Sequence, residues 1–256
     1  MLGTVRMSGP DGISLRVIHG NSVKEDEFPY VVVLIAKNVW SLSRICTGSM
    51  LTADWGLSAG HCKPIITTEY TSIYAWYGNF TQWPFHSNKC IPVVEWKVHP
   101  AYRLLNTDDH PDLLVDNDIS LFRIEASLKL TRYARLSAVD RGSLLGLPVI
   151  YIGGGSTKGK NYYEPMERPL KKGEGAIISC SVDIRMKSRH VVCINPKCDL
   201  KIQYPWYGDS GGPLIHGEQI IGVCSYVVDV GDVHQSVFVS TSPFIDWISF
   251  VIHSKT

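Results

Sequence analysis

The stretch GDSGGPLIHGEQIIGVCSYVV, residues 208–228, joins a glycine-rich turn to two short runs of apolar residues. Similar short runs recur along the chain and are separated by Gly, Pro and Asn. Many short strands with frequent turns are typical of an antiparallel sandwich or barrel rather than of βαβ units. The fold class is therefore predicted to be all-β. The predicted strands are Tyr30–Ala36, Ser49–Thr52, Ile73–Tyr77, Val93–Val98, Ile119–Ile124, Val149–Ile152, Ala176–Ser179, Pro213–Ile215, Ile220–Val228 and Ser236–Val239.

Only the C-terminal end has a helical pattern. Ser242 is a candidate N-cap, Pro243 suits the first helical position, and apolar residues follow at helical spacing through Phe244–Val251. The pattern predicts a packing helix over about residues 243–253.

Two stretches rich in polar residues are predicted to be long surface loops. Arg103–Asp116 carries four Asp, and Gly153–Gly173 mixes Gly, Pro, Lys and Arg. Runs of charge and turn residues usually form solvated loops.

The composition excludes several classes of protein. Apolar residues make up 45% of the chain and charged residues 19%, an ordinary balance for a globular protein and not for a disordered one. With 25 basic and 24 acidic residues the formal net charge is +1, so no basic excess favours nucleic acid. The longest apolar run, Tyr30–Ala36, is far shorter than the ~20 residues of a membrane-spanning helix.

Cysteine usage indicates an oxidising compartment. The chain has seven cysteines, and their spacing does not suit zinc, so disulfides are the better interpretation. Asn79-Phe80-Thr81 is an acceptor for N-glycosylation, which fits secretion. No apolar signal segment is visible in Met1–Arg16. We nevertheless expect a secreted, extracellular protein.

The turn at Gly208–Leu214 is a candidate site for a nucleophile. Ser210 follows an acid on this turn, and the N–H groups of Gly208 and Ser210 can converge on an oxyanion that develops beside the hydroxyl. The same residues also suit ordinary turn chemistry. A catalytic interpretation therefore needs a base and an acid elsewhere in the chain.

Two further motifs supply those groups. LSAGHC carries His61, and DNDISLFRI carries Asp118 at the start of an apolar strand. A serine hydroxyl is a poor nucleophile unless an imidazole takes its proton, and a carboxylate must hold the other ring nitrogen. Together, His61, Asp118 and Ser210 favour nucleophilic catalysis by serine.

The motifs LSAGHC, DNDISLF and GDSGGPL, in this order, resemble those of the trypsin/chymotrypsin-type serine proteases. The resemblance extends from about Val17 to the C-terminus. It implies two packed antiparallel six-stranded β-barrels, over about 30–128 and 145–240, with the active site in the cleft between them and a C-terminal helix.

The resemblance also implies the function and its residues. The protein would be a serine endopeptidase that hydrolyses peptide bonds through an acyl-enzyme. His61 would be the general base, Asp118 its orienting partner and Ser210 the nucleophile. The amides of Gly208 and Ser210 would form the oxyanion hole, and Ser225 would support the buried aspartate.

A second likeness to this family lies at the N-terminus, where RVIHG, residues 16–20, resembles an activation site. Cleavage after Arg16 would remove residues 1–16 as a propeptide and leave residues 17–256 as the protease domain. The new amino group of Val17 would pair with Asp209. Because a buried charge without its partner is costly, the intact chain is expected to be a zymogen.

Specificity is expected to differ from that of trypsin. Tyr204 lies six residues before the nucleophile, where relatives that cut after Lys or Arg carry an aspartate. Ser225, Tyr226 and Val227 occupy the substrate-binding segment, and Val227 would narrow a pocket that glycine leaves open. We expect a preference for small or medium apolar side chains. By resemblance, Arg103–Asp116 lies beside the upstream subsites, where it could select cationic residues or be only a solvated insertion.

The resemblance implies two disulfides, Cys46–Cys62 and Cys180–Cys193. The half-cystine that the family has four residues before the nucleophile is Trp206 here. At least one thiol is expected to be free, and a Cys198–Cys224 bond is possible, because the remaining cysteines are Cys90, Cys198 and Cys224.

The expected partners are a protein or peptide substrate, an activating trypsin-like protease and a protein protease inhibitor. No cofactor and no metal are expected, because the chain has no HExxH and Gly78–Cys90 contains no Asp or Glu. We expect a monomer without nucleic-acid or membrane binding. The alternative is a noncatalytic binding or regulatory module that keeps the protease fold.

Overall fold

The computed structural model describes Val17 and residues 20–63, 72–86, 88–107, 110–155, 164–197, 203–230 and 233–254. Its helices are α1 (Val182–Lys187) and α2 (Ile245–His253), with short 3-10 helices at Gly60–Cys62, Arg141–Leu144 and Ser242–Phe244. The strands are β1 (Asn21–Ser22), β2 (Val31–Lys37), β3 (Leu42–Met50), β4 (Trp55–Ser58), β5 (Ser72–Trp76), β6 (Cys90–Val98), β7 (Arg103–Thr107), β8 (His110–Asp116), β9 (Ser120–Ile124), β10 (Pro148–Gly153), β11 (Lys171–Ile178), β12 (Val191–Pro196), β13 (Pro213–His216), β14 (Gln219–Val230) and β15 (Val233–Ser240).

Six strands close the first barrel, in the order β2-β3-β4-β9-β6-β5. β2 has six buried residues in succession and forms part of two core clusters. β4 pairs with β9, and Ser58 lies opposite Ser120. This register brings the end of β4 beside the start of β9.

Six further strands form the second barrel. The strands β11-β10-β13-β14-β15-β12 are neighbours in this order, β12 pairs back with β11 and closes the ring, and β1 adds to β11. All pairings between named strands of both barrels are antiparallel. The predicted fold class, two six-stranded antiparallel barrels followed by a helix, is confirmed.

The prediction of a long loop over Arg103–Asp116 is wrong. The segment forms β7 and β8, which pair from Arg103 opposite Asp116 to Thr107 opposite His110. The polar residues of the segment concentrate near residues 108 and 109, between the strands and outside the described residues, whereas leucines and valine recur in the arms. The run of polar residues in the middle of the segment concealed the hairpin.

Two details of helix prediction are also wrong. α1 is a second helix that the sequence patterns did not predict, and its N-cap is Ser181, whose hydroxyl accepts a hydrogen bond from the Ile184 amide. With six residues, α1 is too short to show a helical period. At the C-terminus a 3-10 turn that contains Pro243 precedes α2, and the Ser242 side chain does not cap the helix.

In the described part of the chain, no helix is long and apolar enough to cross a membrane.

Candidate active site

His61 lies in the 3-10 helix that follows β4, between two buried residues, Gly60 and Cys62. A disulfide joins Cys62 to Cys46 on β3 and fixes this helix against the barrel. The His61 side chain is 30% exposed. The backbone therefore anchors the histidine while its ring remains open to solvent.

Asp118 is fully buried and lies two residues before β9. One carboxylate oxygen, Oδ2, accepts hydrogen bonds from His61 Nδ1 (2.7 Å) and from the Ser225 hydroxyl (2.5 Å). The other oxygen, Oδ1, accepts from the His61 backbone amide at 2.8 Å. With Nδ1 as the donor, Nε2 is the basic nitrogen of the ring.

Electrostatics couples these two groups. Burial lowers the pKa of His61, but the charge of Asp118 and the hydrogen bond to it outweigh burial and raise this pKa above its ordinary value. Burial raises the pKa of Asp118, and His61 together with Ser225 reverses that effect and holds the pKa below its ordinary value. Asp118 therefore stays ionised and favours protonation of the imidazole.

Ser210 lies on a turn, residues 206–211, which we call the nucleophile turn. Gly208 and Gly211 have φ angles of 88° and 81°, which favour glycine over other residues. A Cβ on Gly211 would lie 2.1 Å from the Ser58 hydroxyl, so close packing on barrel one also requires glycine. The Ser210 carbonyl accepts a hydrogen bond from the Thr47 amide at 2.8 Å.

The amides of the nucleophile turn alternate in their hydrogen bonding. Those of Asp209 and Gly211 donate to the carbonyls of Trp206 and Cys224. Those of Gly208 and Ser210 donate to no acceptor among the described residues. Two unused donors on either side of Asp209 can stabilise an oxyanion. The Ser210 hydroxyl makes no hydrogen bond to the His61 ring here, and such bonds often tighten only when substrate binds.

Asp209 points inward from the nucleophile turn and is 1% exposed. Its two carboxylate oxygens accept hydrogen bonds from the amides of Gly155 and Trp206, each at 2.8 Å. Burial raises the pKa of Asp209 to about 7, although these two bonds and the charge of Arg168 lower it. The Val17 side chain is fully buried in a core cluster with Tyr151. Arg16 lies outside the described residues.

The residues expected to bind substrate lie on two elements. Tyr226 and Val227 follow a bulge in β14, and Val227 pairs with Ser236 on β15. The ring of Tyr204, which is half-buried, lies 5.9 Å from that of Trp206.

A connection that the sequence did not predict joins Tyr226 to the hairpin of β7 and β8. The Tyr226 hydroxyl lies 3.3 Å from that of Ser188, which donates to the Val115 carbonyl at 2.5 Å. Ser188 and Val115 are 73 positions apart, so no local motif signals this contact.

Both disulfides that the resemblance implied are present, Cys46–Cys62 and Cys180–Cys193. Cys224 is a buried free thiol, and Cys90 is also free. Cys198 lies outside the described residues. Asn79 is half-buried, and its side-chain oxygen accepts hydrogen bonds from both the amide and the hydroxyl of Thr81.

Within the described residues, one group of potential metal ligands lies close together: Cys46, His61 and Cys62. The two cysteines are bonded to each other, so their sulfurs are not thiolate ligands. The group is therefore part of the histidine site.

Comparisons with known proteins place the chain in a family. The model of the family described as Trypsin matches residues 17–248. The chain belongs to the trypsin family and is a serine endopeptidase.

Individual relatives are distant in sequence. Chymotrypsin of Phaedon cochleariae is 25% identical over 257 residues, covering 92% of this chain and 82% of its own length. Chymotrypsin-like elastase family member 1 of Homo sapiens is 27% identical over 253 residues, covering 94% of this chain and 93% of its own length. The solved structure of mouse neuropsin, a serine protease, is 23% identical with a TM-score of 0.68, covering 91% of this chain and 99% of that one. The structural likeness supports the fold.

Proposed function

We propose that His61, Asp118 and Ser210 form the catalytic triad of this endopeptidase. The observation that carries the proposal is the Asp118 carboxylate, which accepts hydrogen bonds from both His61 Nδ1 and Ser225. This arrangement orients the imidazole and leaves Nε2 as the base. His61 Nε2 takes the proton of Ser210 as the hydroxyl oxygen bonds to the peptide carbonyl carbon.

The second half of the mechanism uses the nucleophile turn. The Gly208 and Ser210 amides donate to the oxyanion as negative charge develops on the carbonyl oxygen. His61 then gives its proton to the leaving amine, and the C–N bond breaks. Water, deprotonated by His61, hydrolyses the acyl-enzyme and restores Ser210.

We also propose that cleavage after Arg16 activates the chain. Val17 has a φ of 29° in the uncut chain, which is unfavourable for a β-branched residue, although its side chain already fills an apolar cluster. Tyr151 in the same cluster has a buried hydroxyl with no hydrogen-bond partner among the described residues. Cleavage after Arg16 breaks the peptide bond that holds Val17 at this φ angle. The new ammonium can then donate to Asp209 and to Tyr151.

The proposed specificity is for small or medium apolar side chains. Tyr204 provides no carboxylate to neutralise a cationic side chain, so burying one there is unfavourable. β14 and β15 stay paired from Val227 opposite Ser236 to Val230 opposite Val233, which supports a narrow pocket. The side chain of Asp229 and the whole of Asp232 lie outside the described residues. A relative named elastase also favours this proposal.

A peptide library tests the mechanism and the specificity together. The chain is cut with trypsin, the Val17 N-terminus is verified by sequencing, the trypsin is inhibited, and hydrolysis is compared with that of Ser210→Ala. We expect cleavage after small or medium apolar residues by the wild type and none by the variant. Cleavage chiefly after Lys or Arg would contradict the specificity. Equal hydrolysis by Ser210→Ala would contradict the mechanism and favour a binding module.

Secretion, glycosylation and the partners complete the proposal. Two disulfides support an oxidising compartment, and Asn79 lies in a turn where a glycan can attach. The proposed partners are protein substrates, the protease that cuts after Arg16, and a protein inhibitor that occupies the cleft. Mass spectrometry of protein secreted from eukaryotic cells tests the glycan at Asn79, and an unmodified Asn79 would contradict it.

A further inference from the structure

Two arginines hold the backbone that supports Asp209. Arg168 donates to the Gly155 carbonyl from Nε (3.3 Å) and from a terminal nitrogen (3.2 Å). Arg44 donates to the neighbouring Gly154 carbonyl at 2.9 Å and to the Arg168 carbonyl at 2.8 Å. Since the Gly155 amide donates to Asp209, one peptide segment connects both arginines to the nucleophile turn.

A second connection joins the same segment to the oxyanion donors. The Thr47 hydroxyl accepts a hydrogen bond from the Gly154 amide at 3.0 Å and donates to the Gly208 carbonyl at 2.8 Å. Gly154 is therefore linked to the Gly208 carbonyl through Thr47, and Gly155 is linked directly to the Asp209 carboxylate. Movement of this segment would shift the two free amides beside Ser210.

Among the described residues, a cation and an acid lie close to Asp209. Arg168 is 5% exposed, and its Nε lies 3.6 Å from the Glu164 carboxylate, which is 8% exposed. Arg168 is the cation that acts on the Asp209 carboxyl, and Glu164 is the acid beside Arg168. The charge of Arg168 lowers the pKa of Asp209, and that of Glu164 raises it. A buried carboxylate needs such a compensating cation.

We propose that Arg168 is a positioning residue that holds the nucleophile turn in its productive shape in the chain that has not been cut after Arg16. It acts through Gly155 and Asp209, so the uncut chain retains part of the activity of the cut chain. The inference rests on the proposed function and adds a regulatory feature: cleavage increases an activity that Arg168 already supports.

The test compares uncut and cut chains. Arg16→Gln keeps the chain uncut, and Arg168→Met is made in this background and in the cleavable chain. Titration with a fluorophosphonate counts the sites that can react. The kcat is measured on a peptide with alanine before the cleaved bond and is divided by that number of sites. We expect Arg168→Met to lower the uncut kcat at least roughly tenfold more than the cut kcat, since loss of one oxyanion donor costs ~10²–10³. A purely structural role would lower the number of sites and leave kcat per site unchanged.

Three further variants sharpen the test. Arg123→Met removes a more exposed ion pair on barrel one, with Glu95, and should leave kcat within about twofold, as expected for an exposed pair. Glu164→Gln removes the carboxylate that shares the charge of Arg168, and the uncut kcat should not fall. If Arg168→Met does not fold, Arg168→Lys, which loses the two-nitrogen contact with Gly155, should still lower the uncut kcat more than the cut kcat.

Three outcomes would overturn the inference. One is equal kcat per site for Arg168→Met and the wild type in both forms. Another is a wild-type uncut chain with no activity beside an active cut chain. The third is a loss in Glu164→Gln as large as that in Arg168→Met. If neither wild-type form takes the label or hydrolyses peptide, the proposed function fails as well, which separates the two failures.

Discussion

In barrel one the proposed catalytic groups lie next to paired strands, whereas in barrel two they lie on a turn that depends on distant contacts. His61 follows β4 and Asp118 precedes β9, and these strands are hydrogen-bonded neighbours. Ser210 lies between glycines with positive φ, and its carbonyl is held by Thr47 of barrel one. The base and the acid are thus fixed by one sheet, while the nucleophile turn needs support from both barrels.

This difference separates two ways to lose activity. Changes at His61 or Asp118 remove chemical groups from a rigid frame. Changes around Asp209 are expected to leave every proposed catalytic group in place and to loosen the proposed oxyanion donors. The latter are therefore the natural place for regulation, because a buried carboxylate is sensitive to the cations around it.

Asp118→Asn should have the largest effect on activity. The imidazole loses the carboxylate that sets its tautomer, and kcat should fall roughly 10⁴-fold. The charge that raises the pKa of His61 disappears and burial remains, so the acid limb of kcat/KM should move to lower pH. A pH–rate profile of the cut chain measures both. An unshifted limb would contradict the assigned coupling.

Removal of the Cys46–Cys62 disulfide should have the second-largest effect. Replacing both cysteines by alanine should lower the free energy of unfolding by about 2–5 kcal/mol and should also lower kcat, because His61 adjoins Cys62. The matched control replaces Cys180 and Cys193, which close a loop of similar length, 13 against 16 positions. Urea unfolding should show comparable losses of stability for the two variants. An equal loss of kcat in the control would remove the distinction between the barrels.

Thr47→Val should have a smaller effect on kcat. Thr47 lies on β3 of barrel one, but its hydroxyl supports the nucleophile turn of barrel two. The substitution leaves the Gly154 amide and the Gly208 carbonyl without their bridge. We expect kcat to fall roughly 10- to 100-fold, less than or comparable to the loss of a whole oxyanion donor, with KM nearly unchanged. Steady-state kinetics on one peptide measures this. An effect confined to KM would show that Thr47 acts on substrate binding instead.

The last expected effect is on stability rather than on rate: the stability of the uncut chain should depend on pH. Burial raises the pKa of Asp209 from 3.8 to about 7, so between these values the folded chain binds a proton that the unfolded chain has released. The free energy of unfolding should therefore fall as the pH rises through this window. Comparing Asp209→Asn with the parent, both carrying Arg16→Gln, isolates the contribution. Identical slopes would contradict the assigned pKa.

The sequence identifies the proposed catalytic residues more readily than the contacts that support them. His61, Asp118 and Ser210 could be found because each lies in a short motif whose residue types the chemistry requires. Apolar runs likewise predicted ten of the twelve barrel strands at least in part, but not β4 or β12. Thr47 and Gly208 are 161 positions apart, and Arg168 and Gly155 are 13 positions apart, so no local pattern could indicate either contact. α1 was missed because six residues give too little periodicity.

Fluorophosphonate labelling of the cut chain tests the central claim most directly. The wild type with a verified Val17 N-terminus, Ser210→Ala and Asp118→Asn are treated in parallel, and the adduct is located by peptide mass spectrometry. The account predicts one adduct, on Ser210, that is absent from Ser210→Ala and forms much more slowly in Asp118→Asn. A folded, correctly cut wild type that takes no label, or takes it at another serine, would contradict the account.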